Sequence, residues 1–284
     1  MVDFVHMKLG IIPGIESQIA PTKQRAAAAV SSRLAADPAF VKHVAKIMDQ
    51  GASTDFRSMV QSTVPWVLGS MTGYPHSGTV RDVVRALRDE TPALSSMSDE
   101  EAVAHLYTKA MIDKWAADAG SSPQAVAYHL AASKVHGTNP SGMLKFVGKA
   151  FANDAKMMLA NNEDVLTALV RAEYAATQDI LKQAGVKELT LYRGMAYPTS
   201  VAVGDTVKNF MNPLSSWALE RDVAESFAIS PWSPVPEGGE SFVVAMTVPV
   251  EQVQSFFATG RGCMEEWEFV LIGHPSDGTV VDVI

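Results

Sequence analysis

A change of hydrophobic period near Gly185 constrains this chain more than any other feature, because apolar residues recur at helical spacing before it and at strand spacing after it. Ala-rich amphipathic runs at Pro21 to Ala36, Pro38 to Asp49 and Val80 to Asp89 predict helices separated by Gly, Pro and Ser turns. Ser98 followed by Glu101 forms a capping box, and Ser122-Pro123 supplies an N-cap with proline at the first helical position. The last helix of this part is expected to begin near Asn162. Leu166, Leu169, Val170, Tyr174, Thr177, Ile180 and Leu181 share its apolar face, and Gly185 stops it. Beyond Val186, the runs Glu188 to Tyr192, Ser241 to Val250, Glu266 to Ile272 and Thr279 to Ile284 predict strands. One helix, about Glu220 to Ile229, interrupts them, with Val223, Ala224 and Phe227 on its apolar face. Helices followed by strands predict an α+β protein with segregated parts, a helical region over 1–160 and a second region over 161–284.

With 284 residues, 47% of them hydrophobic, the chain has enough apolar material for a sizeable core. Its one cysteine, Cys263, excludes an internal disulfide and every multi-cysteine metal site, and fits a reducing, cytoplasmic compartment. Asp3, His6, Lys8 and Glu16 break up the apolar residues of Met1 to Ala20, so neither a signal peptide nor a membrane span is expected there. The protein is expected to be soluble, with no membrane partner. The net charge of -8 arises after Gly185: residues 1–185 carry 18 basic and 18 acidic side chains, residues 186–284 carry 5 and 13. An acidic face argues against nucleic acid as a partner and is compatible with a cationic substrate. The seven histidines are dispersed, and no metal is implied. Gly137 to Gly142 has the glycine spacing of a phosphate-binding loop but Met143 where lysine is required. Signatures of Rossmann dehydrogenases, zincins and α/β-hydrolases are absent from the sequence.

Three segments of the second region carry chemistry. Leu191-Tyr192-Arg193-Gly194 places an arginine at the end of an apolar strand, where it suits a diphosphate or a salt bridge, and Gly194 would let the backbone approach a ligand closely. Leu214-Ser215-Ser216-Trp217-Ala218 is a strand end leading into the helix with Val223, Ala224 and Phe227; serines there also serve as caps. In Glu265-Glu266-Trp267-Glu268-Phe269, a period of two puts Glu266 and Glu268 on one face and Trp267 on the other. Paired carboxylates beside Gly260, Arg261 and Gly262 fit a solvated edge strand or a site that handles a cation.

Taken in order, these segments resemble the arginine-serine-glutamate class of mono-ADP-ribosyltransferases, which includes clostridial-type toxins, vertebrate ecto-enzymes and phage transferases. The resemblance covers about Asn162 to Ile284. It implies the mixed β-sandwich NAD-binding core of that family, with NAD as substrate and no metal. It also implies that Arg193, beside Gly194, holds the NAD diphosphate, that Phe227 packs on nicotinamide, that Ser216 orients the catalytic Glu268, and that Glu266 engages an acceptor arginine on a protein. Trp217 and Ala218 depart from the family's Ser-Thr-Ser, so only Ser216 keeps its role. The implied activity is transfer of ADP-ribose to protein arginine with release of nicotinamide. The rival expectations are NAD glycohydrolysis by the same residues and a non-catalytic binding or virion module. Met1 to about Ala160 matches no module of the family and is expected to serve targeting, delivery or the helical lobe of the fold.

Overall fold

The computed structural model describes residues 23–53, 56, 78–92, 94–118, 122–209, 212–229, 235, 237–257, 259, 267–273 and 276–284. Among them the chain forms α1 (Lys23–Ala35), α2 (Pro38–Ile47), α3 (Val80–Glu90), α4 (Asp99–Asp118), α5 (Pro123–His136), α6 (Ser141–Phe146) and α7 (Lys149–Gln183). Then follow β1 (Glu188–Tyr197), β2 (Thr206–Asn209), β3 (Leu214–Ala218), α8 (Arg221–Ala228), β4 (Glu240–Pro249), β5 (Val253–Phe256), β6 (Glu268–Ile272) and β7 (Ser276–Val283). The protein is α+β, as its change of period predicts.

Local chemistry accounts for the helix starts. The Ser98 amide donates to the Glu101 carboxylate at 2.7 Å, and the Glu101 amide donates to Ser98 Oγ at 3.2 Å, closing the expected capping box. Ser122 Oγ accepts from the Ala125 amide at 3.1 Å, ahead of Pro123. Such caps contribute about 0.5–2 kcal/mol each. The expected helix start near Asn162 is observed as a break: α7 joins two helices across a kink at Asn162, with φ -133° and ψ 25°, and the first of them begins at Lys149. Asn162 Nδ2 donates to the Met158 carbonyl at 3.0 Å, so the side chain serves a carbonyl that the bent backbone leaves open. The 160/161 division falls beside the kink where these two helices join. Gly185, at φ +71°, ends α7 in the left-handed conformation that favours glycine.

All strand pairs are antiparallel, and they form a seven-stranded sheet in the order β2-β7-β4-β1-β3-β6-β5. The sheet has two blocks. β1 and β4 pair along their whole length from Glu188↔Pro249 to Tyr197↔Glu240, and β3 and β6 pair from Leu214↔Ile272 to Ala218↔Glu268. Only one pair, Tyr192↔Ala218, joins β1 to β3 and so one block to the other. The short strands β2 and β5 were not legible in the sequence; β5 is buried throughout and has no alternation to read.

Two apolar cores flank β3 and β6. Leu214 and Val270 join Val30, Leu34, Phe40, Val84 and Leu106 in a core shared with the helices. Trp217, Phe269 and Leu271 turn the other way and pack with Leu189, Leu191, Phe242 and Leu181, the last from α7. A buried polar seam fastens the helical layer to β5. Gln254, fully buried, donates from Nε2 to Tyr128 Oη at 3.1 Å and to the Val170 carbonyl at 3.0 Å. Its Oε1 is hydrogen-bonded to His136 Nε2 at 2.7 Å, and Tyr128 Oη donates to buried Glu173. The β5–β6 register shifts between Val253 and Ser255, so Gln254 occupies a bulge, a device that re-aims a side chain. No helix among the described residues is long and apolar enough to cross a membrane.

Candidate active site

Where the two blocks of the sheet meet, the strand ends and α8 enclose a cavity of about 170 Å³. Its lining includes Arg193 and Gly194 from β1, Ser216 from β3, Phe227 from α8 and Glu268 from β6, which brings together residues up to 75 positions apart in sequence. Tyr192, Trp217, Ala218, Val223 and Ala224 also line it. Glu266, together with Glu265 and the 260–263 segment, lies outside the described residues.

The strand register explains the meeting of Ser216 and Glu268. Ser216 pairs with Val270 and Ala218 with Glu268, so Ser216 and Glu268 are diagonal neighbours on one face, the face that Leu214 and Val270 turn toward the helices. Glu268 is buried, at 7% exposure. Ser216 makes no side-chain hydrogen bond among the described residues, so its hydroxyl is available within the cavity. Trp217, on the opposite face of the strand, donates from Nε1 to Ser215 Oγ at 2.9 Å, a bond within β3 that fixes the indole.

Arg193 supplies the opposite charge. Burial lowers its guanidinium pKa, while the negative charge of Glu268 acts in the opposite direction. Arginine stays protonated under such pressure, so the cavity holds a fixed cation facing a carboxylate. Among the described residues Arg193 forms no ion pair or side-chain hydrogen bond, and its donors remain open to a ligand.

Gly194 lines the cavity and also admits the helix beside it. A Cβ there would lie 2.1 Å from the Ala224 carbonyl oxygen and 2.4 Å from the Ala228 nitrogen, so the backbone of α8 makes a close approach at this position. Ser241 Oγ donates to the Ala228 carbonyl at 2.7 Å, and Arg221 pairs with Asp282, fixing the two ends of this short helix. The result is the position of Phe227, which is 44% exposed at the cavity rather than packed on the apolar face expected for it. Gly194→Val should therefore push α8 off β1, lower the melting midpoint by overpacking worth roughly 1–3 kcal/mol, and weaken whatever stacks on Phe227. Thermal unfolding and ligand titration of the variant check this.

Of the expected strand Glu266 to Ile272, the part from Glu268 onward is observed, and Glu266 lies outside the described residues. β6 begins at Glu268, and Trp267 is a turn residue with φ +48°, the one described non-glycine residue of positive φ. Holding a tryptophan there costs of order 1–2 kcal/mol. The signal was invisible in the sequence because an aromatic next to Phe269 and Val270 reads as strand.

The chain matches no protein family, curated protein or solved structure with which it was compared. The site therefore stands on its own geometry. Among the described residues, no three His, Cys, Asp or Glu side chains gather closely enough to hold a metal ion.

Proposed function

We propose that the protein is a mono-ADP-ribosyltransferase that cleaves NAD between nicotinamide and ribose and passes ADP-ribose to a protein side chain, arginine by the resemblance of its motifs. The observation that carries this reading is the convergence of Arg193, Ser216, Phe227 and Glu268, distant in sequence, on one cavity. Cleavage of the glycosidic bond builds oxocarbenium character at the anomeric carbon, and a buried carboxylate stabilises that charge. Glu268 would meet it while accepting the ribose 2'-hydroxyl hydrogen bond. Arg193 would grip the diphosphate with its open donors, and Phe227 offers a ring face to nicotinamide. Ser216, diagonal to Glu268, orients that carboxylate or the sugar. The charge balance of residues 186–284 favours a cationic acceptor over nucleic acid.

The test follows two rates with NAD: nicotinamide release to water and transfer to agmatine or to lysate proteins by mass spectrometry. Wild type should do both. Glu266→Ala should abolish transfer while release persists, because its assigned work concerns the acceptor guanidinium alone. Equal loss of both rates would remove the case for arginine, and release without any labelling would make the protein an NAD glycohydrolase.

A further inference from the structure

The backbone next to Glu268 is held from three directions. The Leu219 amide, just past β3, donates to the Trp267 carbonyl at 3.2 Å, and the Phe257 amide, just past β5, donates to the Glu268 carbonyl at 3.0 Å. The Trp267 ring meets Phe257 edge to face, with centroids 4.9 Å apart, and Phe257 in turn meets Phe256 and Phe269. Within this frame Trp267 keeps a left-handed φ of +48° that its bulk disfavours. Strain of this kind persists only where the surroundings over-determine it. An extended residue at 267 would carry β6 past the Ala218 pairing and across the rim of the cavity.

We propose that Trp267 is a positioning residue for Glu268: its left-handed turn, braced by Phe257 and Leu219, ends β6 at the cavity rim and fixes the carboxylate as the first residue of the strand. The proposal rests on the assignment of Glu268 as the carboxylate of NAD cleavage. What matters for positioning is the backbone conformation, so glycine, which adopts it freely, should replace tryptophan, and a β-branched residue, which resists it, should not.

Three variants test this, Trp267→Gly, Trp267→Val and Trp267→Ala, the last acting in the same direction as valine and covering a valine variant that does not fold. Trp267→Val should lower kcat for nicotinamide release about 10²-fold, the effect of a small misplacement, with the Kd for NAD unchanged. Trp267→Gly should retain kcat. A merely structural role would depress the two variants in step with their melting midpoints, and that result, or a valine variant of full kcat, overturns the proposal. The carbon-13 chemical shift of the Glu268 carboxyl gives a readout independent of turnover: it should move in Trp267→Val and stay in place in Trp267→Gly. If wild type neither binds NAD nor releases nicotinamide, the proposed function fails, and that chemical shift alone decides the role of Trp267. A Glu268 carboxyl signal identical in valine and wild-type proteins overturns it.

Discussion

Glu268→Gln should lower nicotinamide release about 10²- to 10³-fold while leaving the Kd for NAD nearly unchanged, since removing one preorganised electrostatic group costs that much in the transition state. The amide fills the same space beside Ala218 and Ser216 but lacks the charge that faces the oxocarbenium centre. Arg193, which carries diphosphate binding in this reading, is untouched; losing the neighbouring negative charge leaves burial to lower its pKa unopposed by Glu268, yet it remains a cation. Calorimetry for binding and single-turnover kinetics for release check the two halves separately. Wild-type release from the glutamine variant would remove Glu268 from the chemistry.

Deletion of the residues before Ser98 should leave no folded protein. The deletion removes Val30, Leu34, Phe40, Val44, Val84 and Leu87, all fully buried in the core that also holds Leu214 and Val270. Truncating one such side chain costs roughly 2–5 kcal/mol. A whole domain has only about 5–15 kcal/mol to lose. The expected result is an insoluble fragment, or one without a cooperative melting transition, that does not turn over NAD. A stable fragment that hydrolyses NAD and labels different proteins would instead make the helices a detachable targeting device.

The helices and most strands were legible because each carries its own signal: a cap, a period, a glycine stop. The boundary at Asn162 was legible in the same way: two helices join there across a kink, and the polar side chain donates to the Met158 carbonyl. β5 was illegible because its bulge and burial on both sides erase alternation. In the site, Arg193, Ser216, Phe227 and Glu268 were found by motif order, and the cavity gathers all four. The packing of α8 on Gly194 was not legible, because close approach by a ligand and by a helix backbone place the same demand on sequence. Gln254 and its partners Tyr128 and His136 left no signal, since a glutamine in an apolar strand shows neither its bulge nor the helices it meets.

The single pair Tyr192↔Ala218 gives the site the mechanics of a pair of jaws. One jaw holds Arg193 and, through α8 fastened at Gly194, Ser241 and Asp282, also Phe227. The other holds Ser216 and Glu268. In the proposed reaction, recognition of the dinucleotide belongs to the first jaw and bond cleavage to the second, so affinity and turnover answer to different halves of the sheet. A cavity of about 170 Å³ is smaller than the roughly 300–1,000 Å³ of ligand pockets in general. A dinucleotide bound as proposed would extend beyond it or part the jaws, which share one backbone pair and the apolar core of Trp217, Phe269, Leu191 and Phe242. Any work the ligand does in opening them comes from its differential affinity for the open form, so tight binding and a fast chemical step compete at this joint.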